Sequence, residues 1–167
     1  MIQVYTGDGK GKTTAAIGQA TRAKGQGLKV GVFQFLKAGK ETGEARILEK
    51  IGILFRQYGS GRWFINRLPE QEEIDLALRG LKEAEQAITD GYDLVVLDEI
   101  SHAINFGLIS LDRVLLLVAD LPKNVELVLT GRDMPEQLVA RAELVTEMKE
   151  VKHPYKKGIA SRRGIEY

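Results

Sequence analysis

The sequence predicts an α/β fold with a doubly wound, mostly parallel sheet of about six strands. Short apolar runs alternate with helical patterns along the whole chain, which is typical of parallel strands joined by right-handed helical crossovers. Several runs are apolar at nearly every position, as in strands covered on both faces. The length of 167 residues suits one domain with a substantial core.

The predicted strands are short apolar runs bounded by turn or loop residues. They cover residues 2–5, 29–36, 53–58, 93–100, 125–130 and 144–148. In parallel sheets ligands bind beyond the carboxyl ends of the strands. We therefore expect the polar segments that follow these strands to form the functional edge of the molecule.

The predicted helices lie between these strands. Small side chains on one face of residues 13–24 suit a helix that packs closely on the sheet. Pro69, followed by glutamates, predicts the start of the longest helix, and Gly91 its end. Ser110 predicts the N-cap of a helix over 111–121. Shorter helices are predicted from residue 42 to about 52 and over 135–142. Residues 1–167 are predicted to form one domain, with residues 149–167 as an irregular tail near the site.

Composition excludes several classes of protein. Lys and Arg number 24 against 23 Asp and Glu, so whole-molecule steering to nucleic acid is not indicated. The absence of cysteine excludes disulfides, iron–sulfur clusters and thiolate zinc sites. No apolar run is long enough to cross a membrane and no signal peptide precedes the first strand. We expect a cytoplasmic protein without nucleic-acid or membrane partners.

A glycine-rich turn follows the first predicted strand and leads directly into a helix. Such a strand–turn–helix unit is typical of a phosphate-binding loop, in which main-chain N–H groups and a helix N-terminus surround a phosphate. The lysine would contact terminal phosphates, and the following hydroxyl would take one Mg²⁺ coordination site. The turn reads Gly7-Asp8-Gly9-Lys10-Gly11-Lys12-Thr13-Thr14.

The turn departs from the usual pattern at Thr6, where a glycine is expected, so the loop is one residue tighter. The alternative is a glycine-rich hairpin followed by an ordinary helix. The flanking strand and helix favour the phosphate-binding interpretation, and we predict a bound nucleoside triphosphate with Mg²⁺.

Two carboxylates, Asp98 and Glu99, end the fourth predicted strand. A carboxylate at this position holds Mg²⁺ directly or through water in phosphate-loop sites, opposite the loop hydroxyl of Thr13. The alternative is that the pair caps a helix that starts near Ser101. The spacing does not decide which of the two carboxylates contacts the metal.

Other candidate residues carry weaker signals. Arg132 follows a predicted strand and could neutralise a phosphate, or it could be a solvated turn residue. Trp63 stands in a glycine-flanked loop, where it could stack on a flat ligand or cover the core. His102 is expected to bond locally near a helix start, and His153 could face the site. Neither histidine belongs to a pattern of potential metal ligands in the sequence, so no transition-metal site is predicted.

The chain resembles the ATP:corrinoid adenosyltransferases of the phosphate-loop type over its whole length. The glycine loop alone would not distinguish that family from many ATPases, but the later segments are more specific. The similarity is carried by residues 6–16, 96–100 (Val-Leu-Asp-Glu-Ile), 129–132 (Leu-Thr-Gly-Arg), 145–148 (Val-Thr-Glu-Met), 152–155 (Lys-His-Pro-Tyr) and 164–167 (Gly-Ile-Glu-Tyr).

The resemblance implies a transferase reaction in which a reduced Co(I) corrinoid attacks the 5′ carbon of ATP and triphosphate leaves. It implies that ATP lies in the loop in the reverse of the usual sense. It implies catalytic roles for Lys12, Thr13 and Glu99, with Mg²⁺ (or Mn²⁺) held by Thr13 and Glu99 and with Asp98 beside them. The implied ATP-binding residues are Gly7, Asp8, Gly9, Lys10, Gly11, Lys12, Thr13, Thr14 and Arg132.

The same resemblance implies partners and a second substrate site. The corrinoid is cobalamin or a precursor, an electron-donating reductase or flavodoxin is a possible partner, and the protein is expected to form a homodimer. The family places aromatic residues after the third strand, usually in Gly-Phe-Thr-Trp. This chain has Gly61-Arg62-Trp63-Phe64 instead, so Trp63 and Phe64 are the predicted corrinoid residues.

Two other classes of function stay open at this point. A phosphoryl-transfer enzyme or ATPase would use the same loop but release ADP. A non-catalytic sensor would bind ATP or corrinoid without forming a Co–C bond.

Overall fold

The computed structural model describes residues 1–39, 42–62 and 67–165, without the side chains of Tyr155 and Lys157. Trp63 and Phe64 lie outside the described residues, so their predicted roles stay predictions. Across the described part of the chain, no helix combines the length and apolar character needed to cross a membrane.

The six strands of the described chain form one sheet in which every pairing is parallel. The strand order across the sheet is β3-β2-β4-β5-β1-β6. This confirms the predicted α/β fold. The strands are β1 (Ile2–Thr6), β2 (Val30–Phe35), β3 (Leu54–Tyr58), β4 (Leu94–Asp98), β5 (Glu126–Thr130) and β6 (Leu144–Glu147).

Helices connect the strands and cover both faces of the sheet. Apolar side chains alternate between the faces along the central strands: Val32 and Val96 belong to one core cluster, Phe33 and Leu97 to the other. The helices are α1 (Lys12–Gly25), α2 (Gly43–Lys50), α3 (Gln71–Thr89), α4 (Ile100–Asn105), α5 (Leu111–Ala119) and α6 (Glu136–Val139), followed by a 3₁₀ turn at Pro154–Lys157.

The structure corrects three predicted boundaries. The fourth strand ends at Asp98 rather than at residue 100, because Glu99 adopts a left-handed φ of 62° and turns the chain into α4. The longest helix begins at Gln71 rather than at Pro69, with Glu70 as its N-cap. The helix predicted over 135–142 is the shorter α6.

Glu73 ties the segment after β3 to the start of α3. Its buried carboxylate accepts hydrogen bonds from Ser60 Oγ (2.6 Å), Arg67 Nη2 (2.6 Å) and the Glu70 N–H (2.9 Å). The hydrogen bonds from Arg67 contribute most to lowering the pKa of Glu73 to about 2. Residues on both sides of Trp63 are therefore held by one charged side chain.

Two helical glycines are predicted to respond oppositely to alanine. A Cβ at Gly80 of α3 would lie 2.6 Å from ring carbons of Tyr58, whose hydroxyl donates to Glu83 of the same helix (2.6 Å). Overpacking costs about 1–3 kcal/mol, which exceeds the gain of about 1 kcal/mol from helix propensity. We expect Gly80→Ala to lower the free energy of unfolding in urea titrations.

Gly18→Ala is the matched control, because a Cβ at Gly18 of α1 would meet nothing within 4 Å. Here only the propensity term acts, and we expect a gain of about 0.5–1 kcal/mol. Equal stabilisation by both substitutions would contradict the packing of α3 on Tyr58.

Candidate functional site

The candidate site lies at the carboxyl edge of the sheet, where the segments after β1, β2, β4 and β5 meet. β5 lies between β1 and β4 in the strand order. The glycine loop after β1 therefore reaches Asp98 at the end of β4 across Thr130 at the end of β5. The order of the strands, rather than their proximity in sequence, assembles the site.

The ammonium group of Lys12 lies inside the glycine loop. Lys12 is 8% exposed and donates to the carbonyl oxygens of Gly7 (2.6 Å) and Gly9 (2.9 Å). Burial is the largest cause that lowers the pKa of Lys12, and the positive charge of Arg132 lowers it further. The lysine is thus placed where its main-chain partners could be exchanged for phosphate oxygens.

The first turn of α1 is open to an anion. Its N-cap is Gly11, which makes no side-chain cap hydrogen bond, and the turn contains no acidic residue. The first N–H groups of a helix lack partners within the helix and carry its positive dipole end. Thr13 and the exposed Thr14 lie in this turn. These features suit a phosphate ligand.

One N–H group of the glycine loop already donates a hydrogen bond within the protein. The Gly9 N–H donates to the carbonyl oxygen of Met148, just after β6, at 2.6 Å. A Cβ at Gly9 would lie 2.6 Å from the same oxygen, so this close approach requires glycine. The Gly9 amide therefore points toward the exit of β6, which limits how many loop amides could contact a ligand.

Asp98 is the centre of a buried hydrogen-bond network. Its carboxylate is 0% exposed. Oδ1 accepts from the hydroxyls of Thr13 (2.9 Å) and Thr130 (2.7 Å), and Oδ2 accepts from Gln34 Nε2 (3.0 Å) and Lys37 Nζ (2.9 Å). The structure thus brings Thr13 together with Asp98, as the first interpretation of the two carboxylates anticipated.

Glu99 lies beside this network but faces other partners. Its N–H donates to the Thr130 hydroxyl (2.9 Å), and its Oε2 accepts from His102 Nδ1 (2.6 Å). Burial raises the pKa of Glu99, but the hydrogen bond from His102 and the charges of His102, Lys37 and Lys12 outweigh burial and leave the pKa below its usual value. His102 bonds locally near the start of a helix, as predicted.

Sequence reasoning missed Lys37 and Gln34 as members of the site, and it named Thr130 only as part of the segment that runs from the end of β5 to Arg132. Lys37 follows β2 directly, and its ammonium contacts both Asp98 Oδ2 (2.9 Å) and Thr13 Oγ1 (3.3 Å). Lys37 could have been identified from its position after an apolar strand, which is also how Asp98 and Arg132 were identified.

Arg132 lies beside the loop with a cluster of charged side chains. Together with Asp8 it lines an open cavity of about 580 Å³, and its carbonyl oxygen accepts from Ser101 Oγ (2.5 Å). Lys10 Nζ donates to the carbonyl oxygen of Ile165 in the C-terminal segment (3.0 Å). The other residues that line the cavity are Glu147, Lys149, Glu150 and Lys156.

The chain is similar to known proteins along its whole length. A family model described as ATP:corrinoid adenosyltransferase BtuR/CobO/CobP matches residues 1–167. The chain belongs to this family. Its membership confirms the resemblance seen in the glycine loop and in the segments after β4 and β5, and it makes the protein a transferase that moves an adenosyl group from ATP to a corrinoid.

Individual relatives match over the full length of the chain. The corrinoid adenosyltransferase of Escherichia coli is 36% identical over 169 residues, which cover 100% of this chain and 85% of the relative. That of Pseudomonas aeruginosa is 37% identical over 100% of this chain and 83% of the relative. Corrinoid adenosyltransferase CobA of Salmonella typhimurium is 34% identical over 100% of this chain and 85% of the relative.

We predict that replacing His102 with alanine raises the pKa of Glu99. The substitution removes the hydrogen bond and the charge of His102, which are the largest causes that lower the pKa of Glu99. Burial, which raises this pKa, is then less strongly opposed. The measurement is an NMR titration of the protein with ¹³C-labelled glutamate side chains, in which Glu99→Gln identifies the Glu99 signal.

His153→Ala is the control, since His153 is the other of the two histidines and is not among the main causes that set the pKa of Glu99. An unchanged Glu99 titration in His102→Ala would contradict the proposed coupling. A shift of equal size in both variants would contradict it as well.

Proposed function

We propose that the protein binds ATP with its triphosphate in the glycine loop and catalyses attack of a Co(I) corrinoid on the 5′ carbon. The observation that carries this proposal is the position of Lys12, whose ammonium lies within the loop at the open N-terminus of α1. A cation and a helix N-terminus at one point suit the triphosphate better than the adenosine.

In the proposed reaction the electron pair of Co(I) forms a Co–C bond with the 5′ carbon. The bond between that carbon and the triphosphate oxygen breaks, and its electron pair leaves with the triphosphate. No water is activated, so no general base is required. The protein would act by aligning cobalt with carbon and by stabilising negative charge on the leaving group through Lys12 and the first turn of α1.

The donor set at Asp98 suits Mg²⁺ (or Mn²⁺). The Thr13 hydroxyl and the carboxylates of Asp98 and Glu99 are hard oxygen donors, and the Lys37 ammonium shows that positive charge is already stabilised there. Within residues 1–39, 42–62 and 67–165, no cluster of three or more His, Cys, Asp or Glu could hold an ion alone. When bound, Mg²⁺ would neutralise phosphate charge, with its remaining ligands supplied by phosphate and water.

The contacts within the protein suggest different roles for the two carboxylates. Thr13 bonds to Asp98, whose two oxygens each accept two hydrogen bonds. We propose that Asp98 orients the Thr13 hydroxyl and faces the metal together with it, and that Glu99 is the second carboxylate beside the metal. Arg132 and Asp8, which line the same cavity, would contact the part of ATP that extends from the loop.

The corrinoid would lie over the segment after β3. Trp63 and Phe64 remain the proposed corrinoid residues, and Glu73 holds the flanking Ser60 and Arg67 in place. A reductase or flavodoxin as electron donor and a homodimer also remain proposals that follow from the family. A cytoplasmic location remains a proposal that follows from the sequence.

The product assay is the direct test of the reaction. We expect MgATP and chemically reduced cobalamin to yield adenosylcobalamin and inorganic triphosphate in equal amounts. Absorbance spectroscopy measures the Co–C product, and anion-exchange chromatography measures triphosphate. Release of ADP would identify a phosphoryl-transfer enzyme instead, and binding of both substrates without a Co–C bond would identify a sensor.

Lys12→Ala is predicted to lower kcat/KM by about 100-fold or more, because a preorganised contact to developing charge typically contributes that much. The measurement is the initial rate with preformed Co(I) corrinoid. Lys82→Ala is the control, since Lys82 is exposed on α3, on the other side of the sheet. A Lys12→Ala rate within a few-fold of the unmodified protein would rule out the assigned loop.

A further inference from the structure

We propose that Lys37 is a further triphosphate-positioning residue whose ammonium holds the cation position between Thr13 and Asp98 until a divalent ion enters with the nucleotide. With the nucleotide and ion bound, the Lys37 ammonium would leave Asp98 and contact the triphosphate. This inference rests on the proposed binding of triphosphate in the glycine loop.

The geometry at Lys37 is that of a bound cation. Its Nζ lies 2.9 Å from Asp98 Oδ2 and 3.3 Å from Thr13 Oγ1, while Thr13 itself donates to Asp98 Oδ1 (2.9 Å). The ammonium therefore contacts a carboxylate and a hydroxyl oxygen, which are also the donor types that Mg²⁺ prefers. An ammonium and a divalent ion cannot share these oxygens without strong repulsion.

The backbone before Lys37 is arranged to direct its side chain to this position. Leu36 adopts a left-handed φ of 65°, which is uncommon for a residue other than glycine. Gly59, directly after the neighbouring strand β3, makes room for this turn, because a Cβ there would lie 2.3 Å from the Leu36 carbonyl carbon and 2.6 Å from the Lys37 nitrogen. Strained backbone of this kind clusters at functional sites.

The charge and the flexible side chain of Lys37 suit both proposed positions of its ammonium, at Asp98 and at the triphosphate. Lys37 Nζ forms an ion pair with Asp98 Oδ2 (2.9 Å), and a carboxylate at this distance favours the ammonium form of lysine. The side chain is 31% exposed, whereas that of Asp98 is 0% exposed. The flexible four-carbon chain of lysine lets the ammonium move while Asp98 stays fixed.

The arrangement predicts that the protein without nucleotide binds divalent ions weakly, because Lys37 competes for their ligands. A nucleotide would reverse this preference by supplying phosphate oxygens to both cations. Lys37 would then add a second lysine, beside Lys12, to the charge that stabilises the leaving triphosphate.

The first arm of the test measures Mn²⁺ binding to the full-length protein without nucleotide, by electron paramagnetic resonance of the free ion. We expect Lys37→Met to bind Mn²⁺ about tenfold more tightly than the unmodified protein, since a competing positive charge is removed. Unchanged or weaker Mn²⁺ binding would overturn the proposal.

The second arm measures binding of inorganic tripolyphosphate with Mg²⁺ by calorimetry. We expect Lys37→Met to weaken this binding about tenfold, the usual effect of losing one charge-assisted hydrogen bond. Lys12→Ala is measured beside it. Weakening by Lys12→Ala alone would overturn the role of Lys37, whereas no effect of either variant would overturn the proposed triphosphate site as well.

Two further variants guard against a general effect on the fold. Lys37→Gln keeps a neutral hydrogen-bond donor near Asp98, and both expected changes should persist in it because the charge is lost. Lys29→Met removes a lysine at the opposite end of β2, which donates to the Asp90 carbonyl oxygen (2.8 Å). If Lys29→Met changed Mn²⁺ binding equally, the proposal would fail.

Discussion

The buried carboxylate of Asp98 is the constraint that organises the carboxyl edge of the sheet. Its four hydrogen-bond donors come from the start of α1, from β2, from the segment after β2 and from the end of β5. A buried carboxylate without partners costs several kcal/mol, so the edge is stable only when these elements are in place together. Gln57 of β3 donates to Gln34 (3.0 Å) and extends the network by another strand.

The elements of the fold could be predicted because each apolar run carries its own local signal. The glycine loop could be predicted equally well, since its glycines, lysine and threonines lie within one short segment. That Asp98 lies near this loop also followed from the sequence, because parallel strands present their carboxyl ends at one edge. Lys37 follows β2 and shares this edge for the same reason, but neither its contact with Asp98 nor that of Gln34 could be predicted. Their roles depend on β2 lying beside β4, a non-local fact of strand order that no short segment records.

The different contacts of Asp98 and Glu99 could not be predicted from the sequence either. Neighbouring residues on a strand face opposite sides, but the strand ends between these two. The left-handed φ of Glu99 and the hydrogen bond from its N–H to Thr130 send its side chain toward His102. This separation depends on β5, which lies 31 residues later in the chain. Sequence reasoning therefore found both carboxylates and could not distinguish them.

The hydrogen bond between Gly9 and Met148 has a consequence for biosynthesis. The glycine loop precedes its support in the chain, because the support follows β6, the last of the six strands in the described residues. Within the described residues, β1 likewise pairs only with β5 and β6. Such long-range contacts form late and slow folding. The nascent chain therefore carries the loop unsupported until β5 and β6 have been made, and the loop takes its final form only after that.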